Sequence, residues 1–264
     1  MVRRPLTERG SGPWPARGAP TAMSSRDRAE PRRVDLYSTV HKGLRAFLAD
    51  TQLAVGRADA SDREEVDVAL RQTRDLLELC RVHLDDENRF IHPAIEARAR
   101  GAVHRSASDH AEHLASIERI EALVDGVEAA ADPAEGLTRL YRTLVRFHAE
   151  NLDHMDYEET ALNAILWATH TDEELSVIEQ AFVGSIEPAT RGLFLRWMIP
   201  AMSHSERLEL FEVLRGDASS DAFEAALDHA RVGLSRQDWG RLTVALSLDS
   251  GRGPTPRPRP RARP

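Results

Sequence analysis

Cysteine is almost absent from this chain of 264 residues, which has Cys80 alone. A single thiol excludes an internal disulfide and any thiolate-rich metal site, and it suits a reducing compartment. Lysine is equally scarce, Lys42 being the only one, and aromatic residues make up 5%. No apolar run approaches the roughly 18 residues that a membrane span needs. The first residues, with Arg3, Arg4 and Pro5, lack the apolar stretch of a secretion signal. The expected location is therefore cytoplasmic, with no membrane partner. β-Branched alternation is missing, which argues against strands. Also missing are a P-loop, a Gly-rich dinucleotide fingerprint, the His-Glu-x-x-His zincin pattern and the Glu-x-x-His of ferritin-like carboxylate enzymes.

Positive charge is missing from the middle of the chain. The formal net charge is −8, yet residues 1–33 carry eight Arg against three acids and residues 249–264 carry five Arg against one. Subtracting those contributions of +5 and +4 leaves about −17 on the body, and such a surface does not attract nucleic acid. The tails 1–32 and 249–264, the second rich in Pro and Arg, cannot bury a core and are expected to be disordered.

What remains is rich in helix formers, with breakers at regular intervals, and predicts an all-α protein. A first helix is expected over 34–55, with His41, Leu44, Leu48 and Leu53 along one face. Ser61 with Glu64 forms a capping-box pattern opening a second helix that reaches about Arg98, with a kink or break at Pro93. A third starts at Ser106 or Ser108. A fourth follows Asp132 and Pro133, with Leu137, Leu140, Leu144 and Phe147 on its stripe. Four long helices joined by short loops pack most simply as an antiparallel bundle, placed at residues 33–168. Residues 169–248 read as a helical extension of shorter elements, with capping boxes at Thr171 and Glu174 and at Ser203 and Glu206.

Two of these helices carry the same unit. His83 and Glu87 form one His-x-x-x-Glu, and His154 and Glu158 form another. His41 precedes His83 by 42 residues, and His113 precedes His154 by 41. Four positions along a helix amount to about 40° of rotation, so each His and Glu share a face one turn apart. These residues interrupt otherwise apolar stripes. Two buried glutamates would each cost several kcal/mol in an apolar core unless paired or coordinated, so the pattern points to metal. Imidazoles and carboxylates without thiolates suit iron, manganese, zinc or copper, and carboxylates able to bridge favour a two-metal centre.

In these motifs, His41, His83-Leu-Asp-Asp-Glu87, His110-Ala-Glu-His113 and His154-Met-Asp-Tyr-Glu158, the chain resembles the hemerythrin-like, or HHE cation-binding, family over residues 34–167. The resemblance implies a four-helix bundle holding two non-haem irons, oxo- or hydroxo-bridged. It implies that His41 and His83 serve one iron, that His113 and His154 serve the other, and that Glu87 and Glu158 bridge them. The family's second helix-three histidine normally stands four residues before the first-choice ligand. Here His110 stands three before His113, which leaves open whether one or both bind. Helical phase puts His92, His148 and Glu159 off the site face.

The function this implies is binding of O2 or a related small ligand, peroxide or nitric oxide, in oxygen or redox sensing, scavenging or iron handling. A second reading is a di-iron redox enzyme of peroxidase or nitric-oxide-reductase type, with Tyr157 as the nearest proton donor. A third is a regulatory interaction module with a structural metal site.

Overall fold

The computed structural model describes residues 33–217 and 220–248; the tails expected to be disordered lie outside these residues. Among the described residues the chain is helical throughout, with no strand. Helix α1 spans Ser38–Arg57. It begins later than expected because the Asp35 carboxylate accepts the N–H groups of Tyr37 and Ser38 at 3.0 and 2.9 Å, an Asx turn that fixes the entry. Helix α2 spans Arg63–Asp86 and is capped by Asp62, which accepts from the N–H groups of Glu64 and Glu65. The expected cap, Ser61, instead donates to Asp59 Oδ1 at 2.7 Å. Asp62 is also of the residue class that favours the cap, so the boundary moved by one position.

Helix α2 breaks and restarts as expected near Pro93, which lies in the first turn of the restarted helix. It passes into a π-turn, π1, at Glu87–Ile91 and then into helix α3 at His92–Arg98. Helix α4 spans His104–Ala129, starting before either predicted serine, and α5 spans Ala134–Tyr157. Asp132 accepts the Ala134 N–H at 3.0 Å, as its placement before Pro133 suggests. A second π-turn, π2, occupies Glu158–Leu162 and leads into α6 at Asn163–Thr169. Each π-turn thus begins at the carboxylate of a His-x-x-x-Glu unit.

Helix α1 packs on α2 and α5, and α4 packs on the same two, closing an antiparallel four-helix ring with α2 and α5 at opposite corners. Most of the core lies on one side of the site: Leu44, Phe47, Leu48, Leu76, Leu77, Ile117, Ile120, Leu140, Leu144 and Phe147 are all at most 4% exposed. Each such side chain contributes roughly 1.5–3 kcal/mol on burial. Leu53 is the exception on α1 at 45% exposed, since nine residues past Leu44 is half a revolution away. A second apolar layer of Tyr37, Ile91, Ile95, Val103, Leu162, Leu166 and Leu175 lies at the π-turn end.

The remaining helices are α7 (Asp172–Ser185), α8 (Pro188–Ala201), α9 (His204–Asp217), α10 (Ser220–Gly233) and α11 (Arg236–Ala245). Both expected capping boxes form, at Thr171 with Glu174 and at Ser203 with Glu206. Helix α8 lies directly on α1, where Trp197 stacks on Phe47 at 4.0 Å. The approach depends on Gly43, since a Cβ there would meet Met198 Cγ at 2.7 Å. Lys42 Nζ donates to Glu206 Oε1 at 2.6 Å, and Ser185 Oγ donates to Asp86 Oδ1 at 2.8 Å. The extension therefore grips the residues next to His41 and next to Glu87.

Candidate metal centre

The bundle interior holds a layer of imidazoles and carboxylates between its two apolar layers. His41 comes from α1, His83 from α2, Glu87 from π1, His110 from α4, His154 from α5 and Glu158 from π2, and none is more than 4% exposed. Two groups emerge whose ligand atoms lie within 4.8 Å of one another: His41, His83, Glu87 and Glu158, and Glu87, His110, His154 and Glu158. Both glutamates belong to both groups.

In the first group, His41 Nε2 is 3.1 Å from His83 Nε2, which is 3.3 Å from Glu87 Oε1. His41 Nε2 also lies 3.7 Å from Glu87 Oε1 and 3.6 Å from Glu158 Oε2. The second group repeats this arrangement. His110 Nε2 is 3.1 Å from His154 Nε2 and 3.3 Å from both Glu87 Oε2 and Glu158 Oε1, and His154 Nε2 is 3.3 Å from Glu158 Oε1. Ligand atoms bonded at about 2.1 Å and about 90° to one cation lie about 3.0 Å apart, so these spacings are those of a coordination shell.

Orphaned polar atoms make the same point. Glu87 Oε1 and Oε2, Glu158 Oε2, and the Nδ1 atoms of His83 and His154 are buried without an adequate hydrogen bond. Buried acceptors left unpaired each cost about 1–3 kcal/mol, more when charged, and a cation between the carboxylates removes that cost. The residues present therefore fit a metal.

The helix-three position departs from the resemblance. His110, rather than His113, takes the place beside His154. His113 is buried at 3% exposed, with its ring edge-on to His154 at 4.8 Å and to Phe147 at 5.9 Å, and lies outside both groups. The three-residue step rotates it about 60° from His110. The residue in phase with His110 is Ser106, one turn earlier, whose Oγ donates to Glu158 Oε1 at 2.7 Å.

Outer contacts orient the rings. His41 Nδ1 lies 3.0 Å from Glu159 Oε1, which also accepts from Arg45 at 2.6 Å. His110 Nδ1 lies 2.9 Å from Asn88 Oδ1. Donation from each Nδ1 leaves Nε2 as the free lone pair facing the interior, the arrangement that metal-binding imidazoles use. Asp109 Oδ2 stands 3.5 Å from His154 Nδ1.

The titration behaviour of the metal-free layer follows from the same geometry. Burial opposes charge on His41 and His110. The carboxylates outweigh it, Glu159 and Glu87 at His41 and Glu158 and Glu87 at His110, lifting both to about 9. Burial dominates elsewhere and lowers His83 to about 4, His154 to about 3 and His113 to about 4. Glu87 and Glu158 are held below the usual carboxylate range: burial and, at Glu158, repulsion from Glu87 oppose ionisation, but the surrounding imidazoles prevail.

Helical phase left Glu159 and His92 off the ligand face, and both stay outside the ligand groups, yet each contacts a ligand ring, His41 and His110 respectively. In each π-turn the backbone N–H five residues on returns to the glutamate carbonyl: His92 N–H to Glu87 O, and Asn163 N–H to Glu158 O. A position that an α-helix places about 140° away is thereby brought back over the carboxylate. His92 consequently stacks on His110 at 4.8 Å and reaches Ser106 Oγ at 3.1 Å. Glu159, inside π2, turns to His41. The available signal was the repeated polar residue at the fifth position after each glutamate. His148 instead meets Gln52 Oε1 at 3.0 Å, away from the layer. Tyr157 is also turned away, with the Arg105 guanidinium 4.2 Å from its ring, whereas the buried Tyr37 packs 5.6 Å from the His41 ring.

No curated protein and no solved structure matches the chain. The family model of the hemerythrin HHE cation-binding domain matches residues 32–166, just over half the chain and the whole of the segment that carries the two ligand groups. The chain belongs to the hemerythrin HHE cation-binding domain family.

Proposed function

We propose that the layer holds two irons and that the protein is a cytoplasmic binder of O2 or a related small ligand, peroxide or nitric oxide. The observation that carries the reading is that two imidazole pairs, His41 with His83 and His110 with His154, share Glu87 and Glu158. Two carboxylates common to two nitrogen pairs are what a pair of cations needs for bridging. His41, His83, Glu87 and Glu158 would hold one, and Glu87, His110, His154 and Glu158 the other. His113, one rung away, is kept as a further candidate for the second iron, with its Nδ1 unpartnered.

An iron pair supplies one-electron and O2 chemistry when bound. The chain's own share is to orient the imidazoles through Glu159 and Asn88, to hold Glu158 through Ser106, and to exclude bulk water with the two apolar layers. Neutral nitrogen outweighs carboxylate in the donor set, which favours reversible binding over storage.

Purified protein should contain about two irons per chain and show near-ultraviolet charge-transfer absorption when oxidised. The double variant Glu87→Ala/Glu158→Ala should lose both. Full iron and an unchanged spectrum in that variant would remove the site assignment. Mixing the reduced protein with O2 separates binding from turnover: reversible uptake supports a binder, and sustained consumption of reductant supports the redox-enzyme reading.

A further inference from the structure

Two buried side chains on the elements that carry His41 and Glu158 belong to neither ligand group, and among the described residues their polar ends find no hydrogen-bond partner. Tyr37 is 0% exposed and its Oη makes no hydrogen bond; Asn163 is 1% exposed and neither its Oδ1 nor its Nδ2 makes one. Native interiors satisfy nearly all such atoms, and each one left unpaired costs about 1–3 kcal/mol. Three of them in two residues, one packed on His41 and one directly after π2, are a strong departure.

Their placement is specific. Tyr37 lies one helical turn before His41, with its ring 5.6 Å from that imidazole, and it shares an apolar layer with Ile91 and Leu162, the last residues of the two π-turns. Asn163 follows π2, and its backbone N–H bonds the Glu158 carbonyl. In the metal-free layer burial, and after it the charges of Glu158, Glu87 and Asp35, hold the Tyr37 phenol well above its ordinary range, so both site carboxylates act on it. The apolar layer around Tyr37 offers its hydroxyl nothing to bond.

We propose that Tyr37 and Asn163 form a hydrogen-bonding subsite for the small ligand of the centre, Tyr37 donating and Asn163 contributing its amide to the ligand's outer atom. This rests on the two-iron reading and deepens it. The ligand class is a two- or three-atom species with an exposed oxygen or nitrogen acceptor. Tyr37 comes from the entry to α1 and Asn163 from the exit of π2, so two elements supply the subsite.

The test uses the full chain and azide as the probe, with Tyr37→Phe and Asn163→Leu as near-isosteric variants. Iron is measured first. About two irons in wild type and variants, with the azide dissociation constant of the oxidised protein raised about tenfold in each variant, is the expected result. In metal-free protein Tyr37→Phe should leave the melting temperature unchanged or raise it, because no protein partner is lost. Iron present with azide affinity within about twofold of wild type overturns the subsite alone and leaves a trapped water as the occupant. A clear drop in the metal-free melting temperature of Tyr37→Phe overturns it too, by showing that the hydroxyl has a structural partner. Absence of iron from wild type overturns the two-iron reading and this subsite with it.

Discussion

Metal loading should expel protons in a number set by two histidines. In the metal-free layer His41 and His110 titrate at about 9, while His83, His113 and His154 lie at about 4, 4 and 3 and are already neutral at pH 7. Coordination needs unprotonated nitrogen. At pH 7 each of the two raised histidines is about 99% protonated, so adding Zn2+ or anaerobic ferrous iron should release about two protons. At pH 9 each is half titrated and release falls to about one; by pH 10.5 it approaches zero. Removing a proton two pH units below its pKa costs about 3 kcal/mol, and each ligand group holds one raised histidine, so between pH 7 and pH 9 apparent affinity should climb about 50-fold per cation, or roughly three orders of magnitude for the pair. The measurement is potentiometric titration with metal at several starting pH values. Stability of the metal-free chain should move oppositely. A raised pKa contributes stability that is complete below the unfolded value of 6.5 and is lost as pH rises through about 9, so the metal-free melting temperature should fall across that window while the loaded protein's does not. Release of less than half a proton at pH 7, or release that does not change from pH 7 to 10.5, refutes the reasoning.

Two further outcomes follow from particular contacts. Glu159→Gln removes the carboxylate that orients His41 at 3.0 Å, and metal affinity by competition with a chelator should drop about 10–100-fold, whereas an unchanged affinity denies Glu159 its orienting part. Gly43→Ala should lower the unfolding midpoint because its Cβ meets Met198 Cγ at 2.7 Å and Cα at 3.1 Å, whereas Gly126→Ala, with nothing within 4 Å, should gain up to about 1 kcal/mol; the same sign for both would show that α8 does not depend on that close approach.

The bundle was legible because apolar spacing and caps speak in local terms. Leu137, Leu140, Leu144 and Phe147 recur at helical intervals, and each is buried. The doubled His-x-x-x-Glu survived because four residues still span one turn of ordinary α-helix before each π-turn begins. Past Glu87 and Glu158 the ideal angle fails. One extra residue per turn rotates everything downstream, and so His92, Glu159 and Asn163 could not be placed from a 3.6-residue period. Pro93 marked the region but not the mechanism, since π2 forms with no proline near it. The exchange of His113 for His110 has another origin. Both are buried on the inner side of α4, and only the depth at which α4 packs against α2 and α5 selects between them. That depth is a tertiary quantity with no local signature.

Charge in the buried layer argues for what the site should prefer to bind. Without metal, Glu87 and Glu158 face protonated His41 and His110, and the four sum to zero. Two divalent cations displace both protons, leaving +4 against −2. The two outer carboxylates do not absorb the difference, because Glu159 is paired with Arg45 at 2.6 Å and Asp109 has Arg105 at 3.7 Å. A surplus of two positive charges inside an apolar shell is costly and draws an anion. Azide and nitrous oxide separate charge from shape, being linear triatomics with the same electron count. Azide should therefore bind the loaded reduced protein at least about 100-fold more tightly, about 3 kcal/mol in favour of the charged ligand. Displacement of one by the other, followed by infrared absorption, measures the ratio. Equal affinities would refute this charge count and would mean that an anion such as a bridging hydroxide already cancels the surplus inside the layer.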